Sequence, residues 1–201
     1  MSTFTISAFF TNARAQLDET PAKIGVNLAA FLTVLCWAFV ALFIISRFTP
    51  TLSKKFEESI GENVFFLVWL IPAVATFLSL FFSEFLGWTP CRLCWYQRIF
   101  MYSLAVLMLV YWFKRSAIIR RIGYMLVVIG APISFYHIGM ERFWFEESTS
   151  CSPTVSCAAP WFKTLGPAEV TTAGMALTAF VTIGVLLYMT SKYDKKIQEN
   201  D

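Results

Sequence analysis

Residues 63–98 read NVFFLVWLIPAVATFLSLFFSEFLGWTPCRLCWYQR. Residues 63–83 carry no charged side chain, and about 20 apolar residues of helix are enough to cross the hydrocarbon core of a bilayer. The run ends at Glu84, a Gly-Trp-Thr-Pro turn and a Cys-x-x-Cys motif, after which a second apolar run begins. The stretch therefore predicts a membrane helix, a short turn outside the hydrocarbon, and a cysteine pair at the head of the next membrane helix.

Four further charge-free runs occupy residues 24–46, 99–113, 122–140 and 170–191. The run 99–113 is short and reaches spanning length only if its helix begins near Trp95, which places Arg98 in the first turn at the membrane surface. Hydrophobic residues make up 57% of the 201-residue chain and charged ones 14%, too apolar a composition for an ordinary soluble domain. The net charge of +3 is small and dispersed, which argues against a nucleic-acid surface and leaves membrane lipid as the surrounding medium. The predicted fold is all-α, a polytopic membrane protein with five spans.

The placement of basic residues orients the spans. Lys114, Arg115, Arg120 and Arg121 crowd one short connection with no acid among them, and the positive-inside rule puts that connection in the cytoplasm. Cys91, Cys94 and residues 141–169 then face outside, and the tail after Lys192 faces the cytoplasm. Five spans put the N-terminus outside too, although Arg14 and Lys23 against Arg47, Lys54 and Lys55 add little to that. The first run follows a long polar tail and lacks a small-residue cleavage site, so it reads as an anchor and not as a cleaved signal. Residues 47–63 read as a polar, mildly amphipathic connector.

Four of the five cysteines form two spaced pairs, Cys91 with Cys94 and Cys151 with Cys157, both expected outside the cytoplasm where disulfides persist. Cys36, midway along the first span, reads as a small hydrophobe. Pro90 suits a helix start and puts the first pair in the first helical turn, where unpaired N–H groups and the helix dipole favour thiolate over thiol. Cys91, Cys94 and Arg98 are spaced i, i+3 and i+7 and so project from one face. A guanidinium there supports negative charge on sulfur or on a neighbouring ligand. A snorkelling arginine is the plainer reading of Arg98, and the cysteines on the same face argue against it.

A Cys-x-x-Cys motif alone also suits zinc sites and thioredoxin-like enzymes. Here it opens a membrane helix with no βαβ context, so its reactant can arrive from within the bilayer. Cys151 and Cys157 enclose five residues, including Pro153. They suit a static staple or an exchangeable bridge, and an exposed loop favours exchange. His137, the single histidine, sits near the outer end of the fourth span, level with Cys94 and Arg98. It reads either as a polar tip at the headgroups or as a group that holds a ligand oxygen or shuttles a proton. Glu84 is a weaker candidate.

Residues 83–102, with Cys-x-Leu-Cys-x-x-Gln-Arg over positions 91–98, are similar to the disulfide bond formation protein B (DsbB) family, and especially to its BdbC branch. Phe135-Tyr136-His137, Cys151, Cys157 and Leu177-Thr178-Ala179-Phe180 follow in the family's order, and the resemblance covers residues 64–190. It implies a four-helix transmembrane bundle, with residues 1–63 adding a tail, an extra transmembrane helix at about 24–46 and the connector, and 191–201 a cytoplasmic tail. It further implies a thiol:quinone oxidoreductase in a prokaryotic plasma membrane, using ubiquinone or menaquinone. Cys91 and Cys94 would form the quinone-facing disulfide, with Cys94 meeting the quinone ring and Arg98 and His137 binding alongside. Cys151 would form the mixed disulfide with a DsbA- or BdbD-like thioredoxin-fold partner, and Cys157 would hand electrons to Cys91. The first span has no counterpart in the four-helix core, and the short Cys151 to Cys157 loop matches the BdbC branch.

The energetics agree with a membrane-soluble acceptor. A strong thiol oxidant near about −120 mV lies roughly 8 kcal/mol above structural disulfides below about −300 mV, so an ordinary disulfide cannot reoxidise it. A vitamin-K-epoxide-reductase-like protein would carry its loop cysteines before the Cys-x-x-Cys motif, whereas here they follow it. A structural zinc site made by the four outer cysteines is the competing non-enzymatic reading. A transporter is disfavoured because the spans lack charged midplane residues.

Overall fold

The computed structural model describes residues 20–144, 156–164 and 170–200. Its elements are α1 (Thr20–Phe48), α2 (Pro50–Ile60), α3 (Asn63–Leu80) continued by a π-helical turn (Phe81–Phe85), α4 (Arg92–Lys114), α5 (Ala117–Glu141) and α6 (Thr172–Asn200). Every α-helix except α2 is long and apolar enough to cross a membrane, so the chain is an all-α, multi-pass membrane protein by length and composition. Helix α4 starts at Arg92, a few residues before Trp95, so that Arg98 falls in its second turn.

The surface is inverted relative to a water-soluble bundle. Phe77, Val106 and Val128 are 68%, 67% and 67% exposed, while Ser134, Thr182 and Thr190 are buried. Lipid places no penalty on the exposed apolar side chains, but it offers no partner to a hydroxyl. The buried hydroxyls therefore donate to carbonyls of their own helices: Ser134 Oγ to Gly130 O at 3.0 Å, Thr182 Oγ1 to Thr178 O at 2.7 Å and Thr190 Oγ1 to Leu187 O at 2.8 Å.

Helices α3, α4, α5 and α6 pack in a ring, each on the next and α6 back on α3, and α1 lies outside that ring against α6. Phe65, Leu104, Met108, Tyr111, Phe180 and Ile183 fill the centre. Close approach depends on small residues, since a Cβ on Gly130 would collide with the Phe180 ring and one on Gly123 with the Met108 methyl. Membrane helices, which lack a hydrophobic drive toward one another, gain attraction through such close contact.

The stretch expected as a connector contains a helix. Pro50 opens α2, and Phe56 packs against Phe39 and Phe43 of α1 at ring distances of 5.6 and 6.4 Å. Lys192 Nζ meets Glu57 Oε1 at 3.0 Å, Arg115 approaches Glu62 at 3.9 Å, and Arg120 pairs with Asp194. This charged end of the bundle lies opposite the cysteines.

Candidate active site

The chain enters the site through an irregular turn. The Leu86 N–H donates to Phe81 O, five residues back, at 3.1 Å and the Trp88 N–H to Phe82 O at 3.0 Å. Gly87 between them has φ +69, a conformation that glycine adopts without steric cost. The turn lays Trp88 flat on Phe82 (5.1 Å, 7°) and Trp161 flat on Trp88 (5.5 Å, 6°). The Trp161 indole N–H donates to Thr89 O at 3.2 Å, which ties residues 156–164 to the approach of α4. Cys91 is then the N-cap of α4 in extended conformation, with its Sγ accepting from the Cys94 N–H at 3.2 Å. Sulfur here does what a Ser or Asp oxygen does at other helix starts.

That cap turns the two cysteines toward different surroundings. Cys91 is buried against Cys157 and Met140, and its Sγ lies 3.6 Å from His137 Nε2. His137 is 2% exposed, its Nε2 lies 4.0 Å from Glu141 Oε1, and the backbone of Cys157 approaches the ring. Glu141 is equally buried and accepts from Thr171 Oγ1 at 2.5 Å and Thr172 Oγ1 at 3.3 Å. The Cys91 thiol is pushed above its ordinary range, chiefly by the side chain of Cys94 next to it and then by burial, with His137 opposing. His137 thus lies inside the protein beside Cys91, and not at a headgroup surface.

Cys94 faces a cavity of about 280 Å³, close to the lower end of the ~300–1,000 Å³ usual for small-molecule sites. Its walls come from α1, α3, α4 and α6, with Phe82, Trp88 and Trp161 at the outer end and Gln97, Arg98 and Tyr102 beside Cys94. Arg98 Nη2 donates to Ser79 O at 3.0 Å, and its guanidinium lies 5.4 Å from the Trp95 ring centre. Gln97 Nε2 and Trp88 Nε1, both on residues lining the cavity, are buried donors with no hydrogen-bond partner among the described residues.

The expected stripe is therefore divided. Cys94 and Arg98 line the cavity, whereas Cys91 and His137 are not among its lining residues. Cys151 lies outside the described residues. Glu84 stays on the surface and accepts from Ser83 Oγ at 3.0 Å. Cys91 Sγ, Cys94 Sγ and a His137 ring nitrogen lie within 4.8 Å of one another, close enough for thiol chemistry or for a shared metal ion. Sequence reasoning passed over Glu141, whose only local signal is its position one turn after His137, and the cavity-facing roles of Gln97 and Cys36.

A family model described as "Disulfide bond formation protein DsbB" matches residues 61–190. The chain is 33% identical over 137 residues to a Bacillus cereus protein named "Probable disulfide formation protein C 1", covering 68% of this chain and 97% of that one. It is 34% identical over 135 residues to an Oceanobacillus iheyensis "Probable disulfide formation protein", covering 66% and 91%. A "Probable disulfide formation protein" of Metapseudomonas resinovorans is 33% identical over 129 residues, covering 62% and 87%. No solved structure matches. Bundle, cysteine arrangement and similarity agree: the chain belongs to the DsbB family of disulfide-generating oxidoreductases.

Proposed function

We propose that this protein reoxidises a thioredoxin-fold disulfide donor outside the cytoplasm of a prokaryotic cell and delivers the electrons to a quinone in the plasma membrane. The observation that carries this reading is the divided cysteine motif, with one sulfur on an apolar cavity among helices and the other against a second, buried cysteine. The cavity chemistry fits a quinone. Its walls are mostly apolar, and two buried N–H donors without partners, on Gln97 and Trp88, suit a flat ring that carries carbonyl acceptors.

A bound quinone supplies a two-electron, two-proton acceptor. Within the chain, the Cys157 thiolate attacks Cys91 of a Cys91–Cys94 disulfide. A sulfur–sulfur bond forms between Cys157 and Cys91, and Cys94 leaves as a thiolate facing the cavity. Arg98, with one N–H committed to Ser79, turns the rest of its donor fork and its charge toward that side. His137 Nε2 accepts the Cys91 proton whenever that sulfur must act as a thiolate, and Glu141, held by Thr171 and Thr172, supports the charged ring. Cys151 meets the partner protein in a mixed disulfide. The basic end that carries Lys114, Arg115, Arg120 and Arg121 is the cytoplasmic one.

The test is to mix purified protein with a short-chain quinone and the reduced thioredoxin-fold partner, and to follow quinone absorbance. Loss of absorbance matched mole for mole by partner disulfide supports the proposal, and an unchanged quinone signal sinks it. The closeness of Cys91, Cys94 and His137 also permits a metal-binding reading, for which metal analysis of purified protein would give stoichiometric zinc and oxidation would be independent of quinone.

A further inference from the structure

The family match begins at residue 61, yet the cavity beside Cys94 is not closed by the matched region alone. Helix α1 contributes Ala29, Leu32, Thr33 and Cys36 to its lining. Those four positions fall at i, i+3, i+4 and i+7, one stripe of a helix turned inward, while Ile24, Phe31 and Ile45 on other faces are 62%, 60% and 53% exposed.

The helix is fastened along its length. Near the cysteine end, Ala22 and Val26 pack with Trp88 and Phe162, and a Cβ on Gly25 would press on Phe81 at 2.8 Å. At mid-span the Trp37 indole N–H donates to Thr178 Oγ1 at 2.8 Å, and Thr178 itself lines the cavity. At the other end Arg47 Nη2 reaches the Tyr188 hydroxyl at 3.4 Å. A helix that merely anchored the chain would have no reason to lay small side chains along this cavity or to spend a mid-membrane hydrogen bond on its wall.

We propose that α1 is the outer wall of the quinone site and that Leu32, with Ala29, Thr33 and Cys36, sets the size of ring admitted beside Cys94. This inference rests on the quinone reading above. An accessory helix outside the matched core thereby gives this chain a selection of acceptors that the four-helix core alone would not have.

The experiment uses the full chain and two readouts. In a variant with Cys91, Cys94, Cys151 and Cys157 all changed to alanine, Cys36 is the one remaining thiol, and its alkylation by N-ethylmaleimide is timed with and without decylubiquinone, whose ring is fully substituted and does not add thiols. Saturating decylubiquinone slows labelling about tenfold, and Leu32→Trp in that background removes the protection, whereas the lipid-facing Ile45→Trp retains it. In the protein with its active cysteines intact, Leu32→Ala lowers the KM for dimethylnaphthoquinone, whose head is two fused rings, relative to decylubiquinone by about tenfold, the low end of what one methylene in an apolar pocket is worth. This second variant removes atoms and so does not depend on fitting an indole into the cavity. If wild-type protein reduces decylubiquinone but Cys36 is unprotected and Leu32→Ala leaves the KM ratio unchanged, the wall assignment is wrong and the quinone reading stands. If wild-type protein reduces no quinone at all, the quinone reading itself fails, and this inference with it.

Discussion

Cys91 and Cys94 are three residues apart and chemically unequal. One caps a helix and lies buried beside His137, and the other opens onto the cavity. Cys94→Ser should abolish turnover. Arg98→Ala should lower kcat/KM for quinone by about 10- to 100-fold, the worth of a charge-assisted hydrogen bond, while the affinity for the partner protein, read by titration, stays the same. Equal quinone kinetics in that variant would remove Arg98 from the site. Because a raised pKa depletes the thiolate at any given pH, Cys91 in reduced protein should alkylate with a midpoint above that of an ordinary cysteine, about 8.5. The Cys94 side chain is the leading cause, so Cys94→Ala, which removes that thiol and keeps the backbone N–H at the cap, should move the midpoint down, as followed by mass spectrometry across a pH series. Cys94 and Arg98 were legible in sequence because helical spacing alone puts them on one face. Gln97 sits inside the same motif, but only three dimensions show that its amide donor lacks a partner. Nor does any local pattern say which way Cys36 turns, since that depends on how α1 docks on α6.

At the scale of elements, apolar runs located five helices, and what they left open was the ends. Helix α4 begins where a sulfur caps it, a choice that apolar patterning does not encode, and α2 passed as a connector because its few apolar residues, Phe56 among them, find their place only against α1. The contact between α5 and α6 is the one most exposed to substitution. Gly130→Ala pushes a methyl into the Phe180 ring and should destabilise the bundle by about 1–3 kcal/mol, the usual range for overpacking, read as a lower melting temperature in detergent. Adding Phe180→Leu should recover part of the loss. An unshifted melting temperature for Gly130→Ala would mean that these helices sit farther apart than described.

For the whole molecule, the two ends of the bundle differ in kind. Arg115, Arg120 and Lys192 gather at one end, paired with Glu62, Asp194 and Glu57, together with Arg47 on the Tyr188 hydroxyl, and the sulfurs and stacked indoles gather at the other. A fluorescent protein fused after Asp201 should therefore glow in the cytoplasm, and alkaline phosphatase at the same point should stay inactive. The reverse pattern would put the cysteines on the reducing side, where a disulfide relay has no driving force.

The Phe82, Trp88 and Trp161 stack has a practical consequence. If the chamber accepts an electron-poor ring as proposed, the two indoles at its mouth form a built-in optical reporter, because such rings quench indole emission on contact. Titrating an aromatic acceptor into detergent-solubilised protein should dim the emission saturably, and Trp88→Phe should erase most of the saturable part, so that occupancy can be read without added dye and without turnover.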